Sequence, residues 1–323
     1  MYISQLALVA ALAASASAHG LVTEIKGANG VSMPGLTVAD GTPRDCSSNG
    51  CGSQADTAII RDREIASGKA TPLGRTQGNG PVDASVMIAA FMGSGAGAAP
   101  PTNNGASGSV GVEDDIPQSA QGQASGASTR TGGRRRQLLA GLLGGLGGGA
   151  GGNGAGATGI AGILGGGGTK AVGPPEARVA AATGAGATSG LPTCADDGTV
   201  TMTLRQINQD GAGPFTADVD GTSGGTDEAA MQKATVTKDV PGLGVQGISL
   251  ATSTEFEMQV KMPAGMTCDA TVGGASNVCV MRVRNGAAAG PFGGSVAFTQ
   301  STAARKRAVA YRLKKRMEIA RKL

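Results

Sequence analysis

Residues 254–263 read TEFEMQVKMP, and apolar and polar side chains alternate along this stretch. Because successive side chains of a strand point to opposite faces, the alternation sorts these residues into two sets. The set expected to face a core is Phe256, Met258, Val260 and Met262, and the set expected to face water is Glu255, Glu257, Gln259 and Lys261. This period of two predicts a β-strand with one buried face.

Similar strands are predicted before and after this one. Residues 199–207 (TVTMTLRQI) alternate in the same way, with Arg205 on the polar face, and the turn NQDGAGP follows at 208–214. Residues 278–285 (VCVMRVRN) and 290–300 (GPFGGSVAFTQ) complete the pattern. Several short strands separated by Gly/Pro turns predict a mainly β protein, an antiparallel immunoglobulin-like β-sandwich with long loops. A β-barrel is the alternative.

The composition divides the rest of the body into blocks. Residues 19–92 are rich in Gly, Asp, Pro and Arg and are expected to form the loop-rich, N-terminal half of the sandwich domain, with short helices around Asp56–Ser67 and Ala84–Phe91. Residues 93–190 are a Gly/Ala-rich, low-complexity insertion, expected to be disordered because it cannot bury enough apolar surface. Residues 191–301 form the C-terminal half of the domain.

A basic tail spans residues 302–323. It has nine Lys or Arg and one acid, a charge of +8, whereas the whole chain has +4, so the remainder is mildly acidic. Helical spacing of Ala310, Leu313, Met317 and Ala320 predicts a basic helix. Three interpretations stay open: a solvated tail, a surface helix that binds anionic lipid or cell-wall polysaccharide, and a segment removed at Lys306-Arg307. A nucleic-acid partner is not expected, since the basic charge is not spread over a folded face.

The first 18 residues have the pattern of a signal peptide. An apolar run from Ile3 to Ala14 precedes Ala16-Ser17-Ala18, a small-x-small cleavage site, although no Lys or Arg comes before the run. The protein is therefore expected to be secreted and extracellular. No later stretch has the roughly 18 unbroken apolar residues of a transmembrane helix, so no membrane span is expected.

His19 is the only histidine in the chain and directly follows the predicted cleavage site. Cleavage there would give this residue an unblocked α-amine beside its imidazole, and two such nitrogens can chelate a metal ion. Copper(II) favours planar nitrogen ligation. The alternative is that the residue after the cut merely happens to be histidine. Possible oxygen donors elsewhere are Asp45, Asp56, Asp62 and Asp210.

The five cysteines suggest disulfides in a secreted protein, with one thiol left over. Cys268 and Cys279 flank the turn-like segment TVGGASNV and are predicted to pair. Cys46 has two possible partners, Cys51 and Cys194. A zinc site is not expected, because the chain has neither a CxxC motif nor a second histidine.

Several common enzyme classes lack their sequence signals. A Ser/His/Asp hydrolase would need the lone histidine as its base, no GK[ST] follows the Gly-rich runs, and the paired carboxylates lie in loop-like sequence. Aromatic residues make up only 2% of the chain and there is no Trp, so stacking surfaces for sugars are scarce.

Four long strings resemble one family. They are HGLVTEIKGANGVSMPGLTVADGTPRDC (19–46), IIRDREIASGKATPLGRTQGNGPVDA (59–84), GTVTMTLRQINQDGAGP (198–214) and ARKRAVAYRLKKRMEIARKL (304–323). They are similar to the secreted appressorium-specific proteins of pathogenic fungi, the GAS/MAS or Egh-like virulence factor family. The resemblance implies a protein that acts at the fungus–host surface during penetration, with the host or fungal cell-wall surface as partner and no established catalysis.

A second, more distant resemblance is to lytic polysaccharide monooxygenases. It rests on the HG start at His19, the NQDGAGP turn and the ending CVMRVRN…GPFGG. Those enzymes are secreted β-sandwiches that hold copper between an amino-terminal histidine and a second histidine, with Tyr or Phe at an axial position. The resemblance implies that His19 takes the first role and Phe298 the axial one, with Phe292 as its rival. The second histidine has no counterpart, which implies a degenerate brace; if the protein is an enzyme, the reaction implied is copper-dependent oxidative cleavage of polysaccharide.

Overall fold

The computed structural model describes residues 19–42, 52–94, 102, 167–171, 176–244 and 247–321. Most of the regular structure is β: β1 (Gly20–Lys26), β2 (Ser32–Pro34), β3 (Ala58–Ile59), β4 (Arg75–Thr76), β5 (Gly80–Pro81), β6 (Thr169–Lys170), β7 (Thr199–Gln206), β8 (Phe215–Asp220), β9 (Gln232–Lys238), β10 (Thr254–Lys261), β11 (Ala270–Val272), β12 (Ala275–Asn285) and β13 (Phe292–Thr299). The helices are α1 (Asp62–Ala66), α2 (Ala84–Met92), α3 (Arg178–Ala182), α4 (Gly186–Ser189) and α5 (Thr302–Ala320), with 3-10 turns at Gly52–Asp56 and Glu228–Ala230.

One curled sheet contains these strands. Its order is β2-β1-β7-β10-β9-β8-β12-β13-β3-β4-β5, with β6 added at β10 and β11 at β12. Every ladder between these strands is antiparallel. The curl brings β1 against β13, where a side chain on Gly294 would meet Val22 at 2.9 Å. The mainly β, antiparallel prediction is therefore confirmed, and the two layers are continuous because β9 pairs with β10 on one side and β8 on the other.

The alternation that predicted β10 is confirmed by burial. Phe256, Met258, Val260 and Met262 are all buried, and the intervening residues are half-buried or exposed. The strand pairs along its whole length with β7. Burial of each of these apolar side chains stabilises the fold by roughly 1.5–3 kcal/mol. A one-residue slip would expose the whole set, so this burial fixes the register of the strand.

The disulfide predicted between Cys268 and Cys279 is present. It joins the segment before β11 to the central strand β12. Cys194 is a buried free thiol, and burial raises the pKa of that thiol. The other pairing considered for the first half, Cys46 with Cys51, lies outside the described residues.

The short helices of the first half follow the sequence in part. Helix α2 matches the prediction to within one residue. Asp83, the residue before it, caps the helix, since its carboxylate accepts a hydrogen bond from Ser85 N. The helix expected over residues 56–67 is shorter, because Ala58 and Ile59 extend to pair with β13. Residues 176–190, assigned from sequence to the insertion, form α3 and α4 and lie against α2, with Val179 buried.

The basic tail forms helix α5, as predicted. Ser301 starts it, with its hydroxyl accepting from Ala304 N at 3.1 Å. Ala304 and Ala308 are its buried side chains. Across the described part of the chain, no helix combines the length and apolarity that a bilayer span requires.

Candidate functional site

His19 directly precedes β1, and residues at the C-terminal end of β7 and in the loop after it contact its backbone. Gly20 pairs with Gln206, and Ile207 N donates to His19 O at 2.9 Å. The loop after β7 presses on the same carbonyl, since a side chain at Gly211 would come within 2.1 Å of it. Glycine is therefore required at position 211, and residue 19 is buried at 1% exposure.

A single amide contacts both nitrogens that could chelate a metal at His19. The backbone nitrogen donates to Asn208 Oδ1 at 2.8 Å, and Asn208 Nδ2 lies 3.3 Å from His19 Nδ1. An amide NH₂ only donates, so this contact makes Nδ1 the acceptor and leaves the ring proton on Nε2. The Nδ1 lone pair is engaged by this hydrogen bond, so a metal ion bound by Nδ1 and the amine would replace the contact with Asn208 Nδ2.

Phe292 provides the aromatic ring beside His19. The two ring centroids are 4.7 Å apart and the planes make an angle of 26°, an offset-stacked arrangement. Asn285 fixes this contact, because its Oδ1 accepts from Phe292 N at 3.1 Å while its Nδ2 donates to Asp210 O at 3.0 Å. Phe298, the residue expected at the axial position, instead lies in the main hydrophobic core on the same strand.

Asp210 is the acidic group of this site. Burial raises the pKa of its carboxyl, and attraction to His19 opposes that rise. Its Oδ2 is buried and makes no hydrogen bond in the described structure. A nearby positive charge stabilises the ionised form of a buried carboxyl that has no hydrogen bond on one oxygen. The site therefore suits either an ammonium group or a metal ion at residue 19.

The possible metal donors at this site suit a copper(II) ion better than they suit copper that cycles between copper(II) and copper(I). His19 offers two nitrogens once its amine is unblocked, Asn208 an amide oxygen and Asp210 a carboxylate, and copper(II) accepts such tetragonal N,O sets. Copper(I) prefers softer ligands, and no second imidazole is present in the sequence. With a leader attached, residue 19 has only a peptide nitrogen. Among the described residues, no three His, Cys, Asp or Glu side chains gather around a metal-sized space.

The other candidate oxygen donors lie elsewhere. Asp56 is buried in an ionic cluster with Glu176 and Arg205, and Asp62 accepts a hydrogen bond from Arg284 at the surface. Asp45 falls outside the described residues, as does the predicted cleavage site.

Asp56→Asn should remove a pH-dependent loss of stability. Burial raises the pKa of Asp56 from 3.8 to about 7, so the folded protein holds a proton that the unfolded chain releases between those values. Stability should therefore fall as pH rises through that window, by about 4 kcal/mol. Urea unfolding of both proteins at about pH 4 and about pH 8 measures the difference. A wild-type-to-variant gap that does not change with pH would contradict the assignment.

Fold and site together define a class: a mainly β, disulfide-bonded protein that buries a histidine between an amide and an aromatic ring at the start of its first strand. The Egh16-like virulence factor family matches residues 17–293, and the chain belongs to this family, as the sequence resemblance predicted. It is 50% identical over 315 residues to the appressoria-specific virulence factor GAS2 of Pyricularia oryzae, covering 98% of this chain and 94% of that protein.

A second relative matches over a shorter range. The appressoria-specific virulence factor GAS1 of Pyricularia oryzae is 38% identical over 131 residues, or 39% of this chain and 51% of that protein. No solved structure matches the chain.

Two residues that contact His19 or hold its neighbours in place, Asn208 and Asn285, are not predicted by the sequence pattern. Asn208 is in the NQDGAGP segment, which predicts a turn and is part of the resemblance to lytic polysaccharide monooxygenases, but neither gives the asparagine a role. Its position directly after a strand that pairs with β1 was the available signal. Asn285 ends β12 with no sequence feature that distinguishes it from a turn residue.

Proposed function

We propose that this chain is a secreted virulence-associated protein that acts at the fungus–host surface by binding rather than by turnover. The proposal is supported by family membership over 277 of its residues, 17–293, and by the signal-like leader. The single observation behind the non-catalytic part is that one neutral amide, Asn208, meets both chelating nitrogens of His19. A redox copper enzyme needs a second strong nitrogen donor where this chain has an amide.

The test of the non-catalytic part uses the processed chain, meaning the chain that begins at His19. It is loaded with one equivalent of copper and given ascorbate and oxygen, with and without chitin or cellulose. Peroxide formation and oxidised oligosaccharides are measured against His19→Ala under the same conditions. We expect neither protein to give oxidised oligosaccharides. Oxidised sugars that require His19 would overturn the proposal.

The second candidate function is copper(II) binding at a degenerate brace. It is favoured by the convergence of both His19 nitrogens on one side chain and by the neighbouring Asp210 carboxyl. When bound, the ion would supply a positive charge that the two nitrogens, the amide oxygen and the carboxylate could share. Phe292 and Asn285 would keep the imidazole in place and exclude water from one of its faces.

Asn208→His should raise the copper(II) affinity of the processed chain by about tenfold or more. An imidazole is a stronger donor to copper(II) than an amide oxygen, and residue 208 already touches both nitrogens of His19. Competition titration against a chelator measures the change. The matched control is Asn79→His, which adds a histidine on another loop. An equal gain in the control, or none at residue 208, would contradict the proposed ligand geometry.

A further inference from the structure

Helix α5 has a packed half and a projecting half. In the packed half, Arg305 Nη2 lies 2.9 Å from Asp269 Oδ1, and Ala304 and Ala308 are buried. Arg312 donates to Gly265 O at 2.6 Å and is the last helix residue for which the described structure shows a hydrogen bond to the body. Every residue from 309 to 321 is exposed. The end of the helix therefore stands away from the sheet.

The projecting half is strongly cationic. Lys314, Lys315, Arg316 and Arg321 make no ion pair within the described part of the chain, and Glu318 is the one acid among residues 302–323. Two lysines on the sheet are different, since Lys238 and Lys261 lie 2.9 and 2.6 Å from carboxylates. Unpaired like charges on one helix repel each other, so they gain from an anionic surface.

Large apolar side chains are exposed among these cations. Leu313, Met317 and Ile319 are 54, 59 and 53% exposed, and Leu313 and Met317 are four residues apart on one face. Val309, also exposed, continues that face into a groove of about 750 Å³ between the helix and the ends of β12 and β13. A hydrated polyanion would satisfy the charges but would leave this hydrocarbon in water.

We propose that the projecting half of α5, residues 313–321, binds the surface of an anionic phospholipid membrane. The cations contact the headgroups, and Leu313 and Met317 enter the boundary between headgroups and acyl chains. A basic helix with an apolar face fits this surface in both charge and hydrophobicity. The proposal does not depend on the function proposed for His19.

Binding can be measured on the intact processed chain by co-sedimentation with vesicles. Vesicles of phosphatidylcholine alone and of phosphatidylcholine with phosphatidylserine are compared. We expect binding only with phosphatidylserine, and weaker binding as salt rises. Equal binding to both vesicles would overturn the proposal.

Two variants separate charge from insertion. Lys314→Gln/Lys315→Gln/Arg316→Gln should weaken vesicle binding about 100-fold, while Arg63→Gln/Lys69→Gln/Lys233→Gln, which removes the same charge from exposed body positions, should not. Leu313→Gln/Met317→Gln should weaken it about tenfold with the charges intact. Equal losses in the body control, or no loss in the apolar variant together with capture by acidic polysaccharide, would overturn the membrane proposal.

Discussion

Arg205→Met should lower the free energy of unfolding by about 3 kcal/mol, because it removes the buried cation of an ionic cluster in which Glu176 and Glu255 then keep their contacts with the more exposed Arg178. Arg205 is 1% exposed. Its Nη2 lies 2.7 Å from Glu255 Oε1 and 3.5 Å from Glu176 Oε2. Its charge also lowers the pKa of the buried Asp56. Methionine fills a similar volume but supplies no charge. Chemical denaturation at constant pH measures the loss.

The matched control breaks an ion pair that involves the same sheet but is exposed to solvent. Lys261 lies 2.6 Å from Asp197, with 41 and 50% of the two side chains exposed. Lys261→Met should cost less than about 1 kcal/mol, since solvent screens an exposed pair. Similar losses for the two variants would show that burial of the Arg205 cluster is not what makes it important.

The second large effect is expected at the amino terminus of the processed chain. His19→Ala should weaken copper(II) binding by at least about 100-fold, because it removes the imidazole and leaves the α-amine as the single nitrogen of the proposed chelate. The readout is the copper(II) dissociation constant with electron paramagnetic resonance of the bound ion.

A control keeps the donors and changes only the packing around them. Phe292→Leu removes the ring that holds the imidazole in place but leaves both His19 nitrogens, Asn208 and Asp210, so its copper affinity should fall by much less than that of His19→Ala. Retained binding in His19→Ala would place the metal elsewhere and contradict the proposed site.

The elements that sequence predicted well are those set by local periodicity. The alternation in β10 identified a strand and its buried face, helical spacing identified α5, and the segment between Cys268 and Cys279 identified a hairpin with its disulfide. In each of these cases the decisive interactions join residues close in the chain, or one face of one element to the core.

What sequence did not predict depends on contacts between distant segments. Arg205 alternates onto the polar face of β7, yet it is buried, because the chain around Glu176 and Arg178 covers that end of the strand. The choice of Phe292 over Phe298 as the ring beside His19 follows from which end of β13 meets β1. The pairing of Asn208 with His19 joins residues 189 positions apart, and no periodic pattern reports such a contact.

The most direct test of the binding site is a copper(II) titration of the processed chain, followed by electron paramagnetic resonance. The same titration is run on the peptide His-Gly-Leu-Val-Thr, which has the first five residues of that chain. If Asn208 and Asp210 add to the two nitrogens of His19, the protein binds one equivalent more tightly than the peptide and gives a tetragonal nitrogen–oxygen spectrum. Equal dissociation constants for protein and peptide would contradict a site built by the fold.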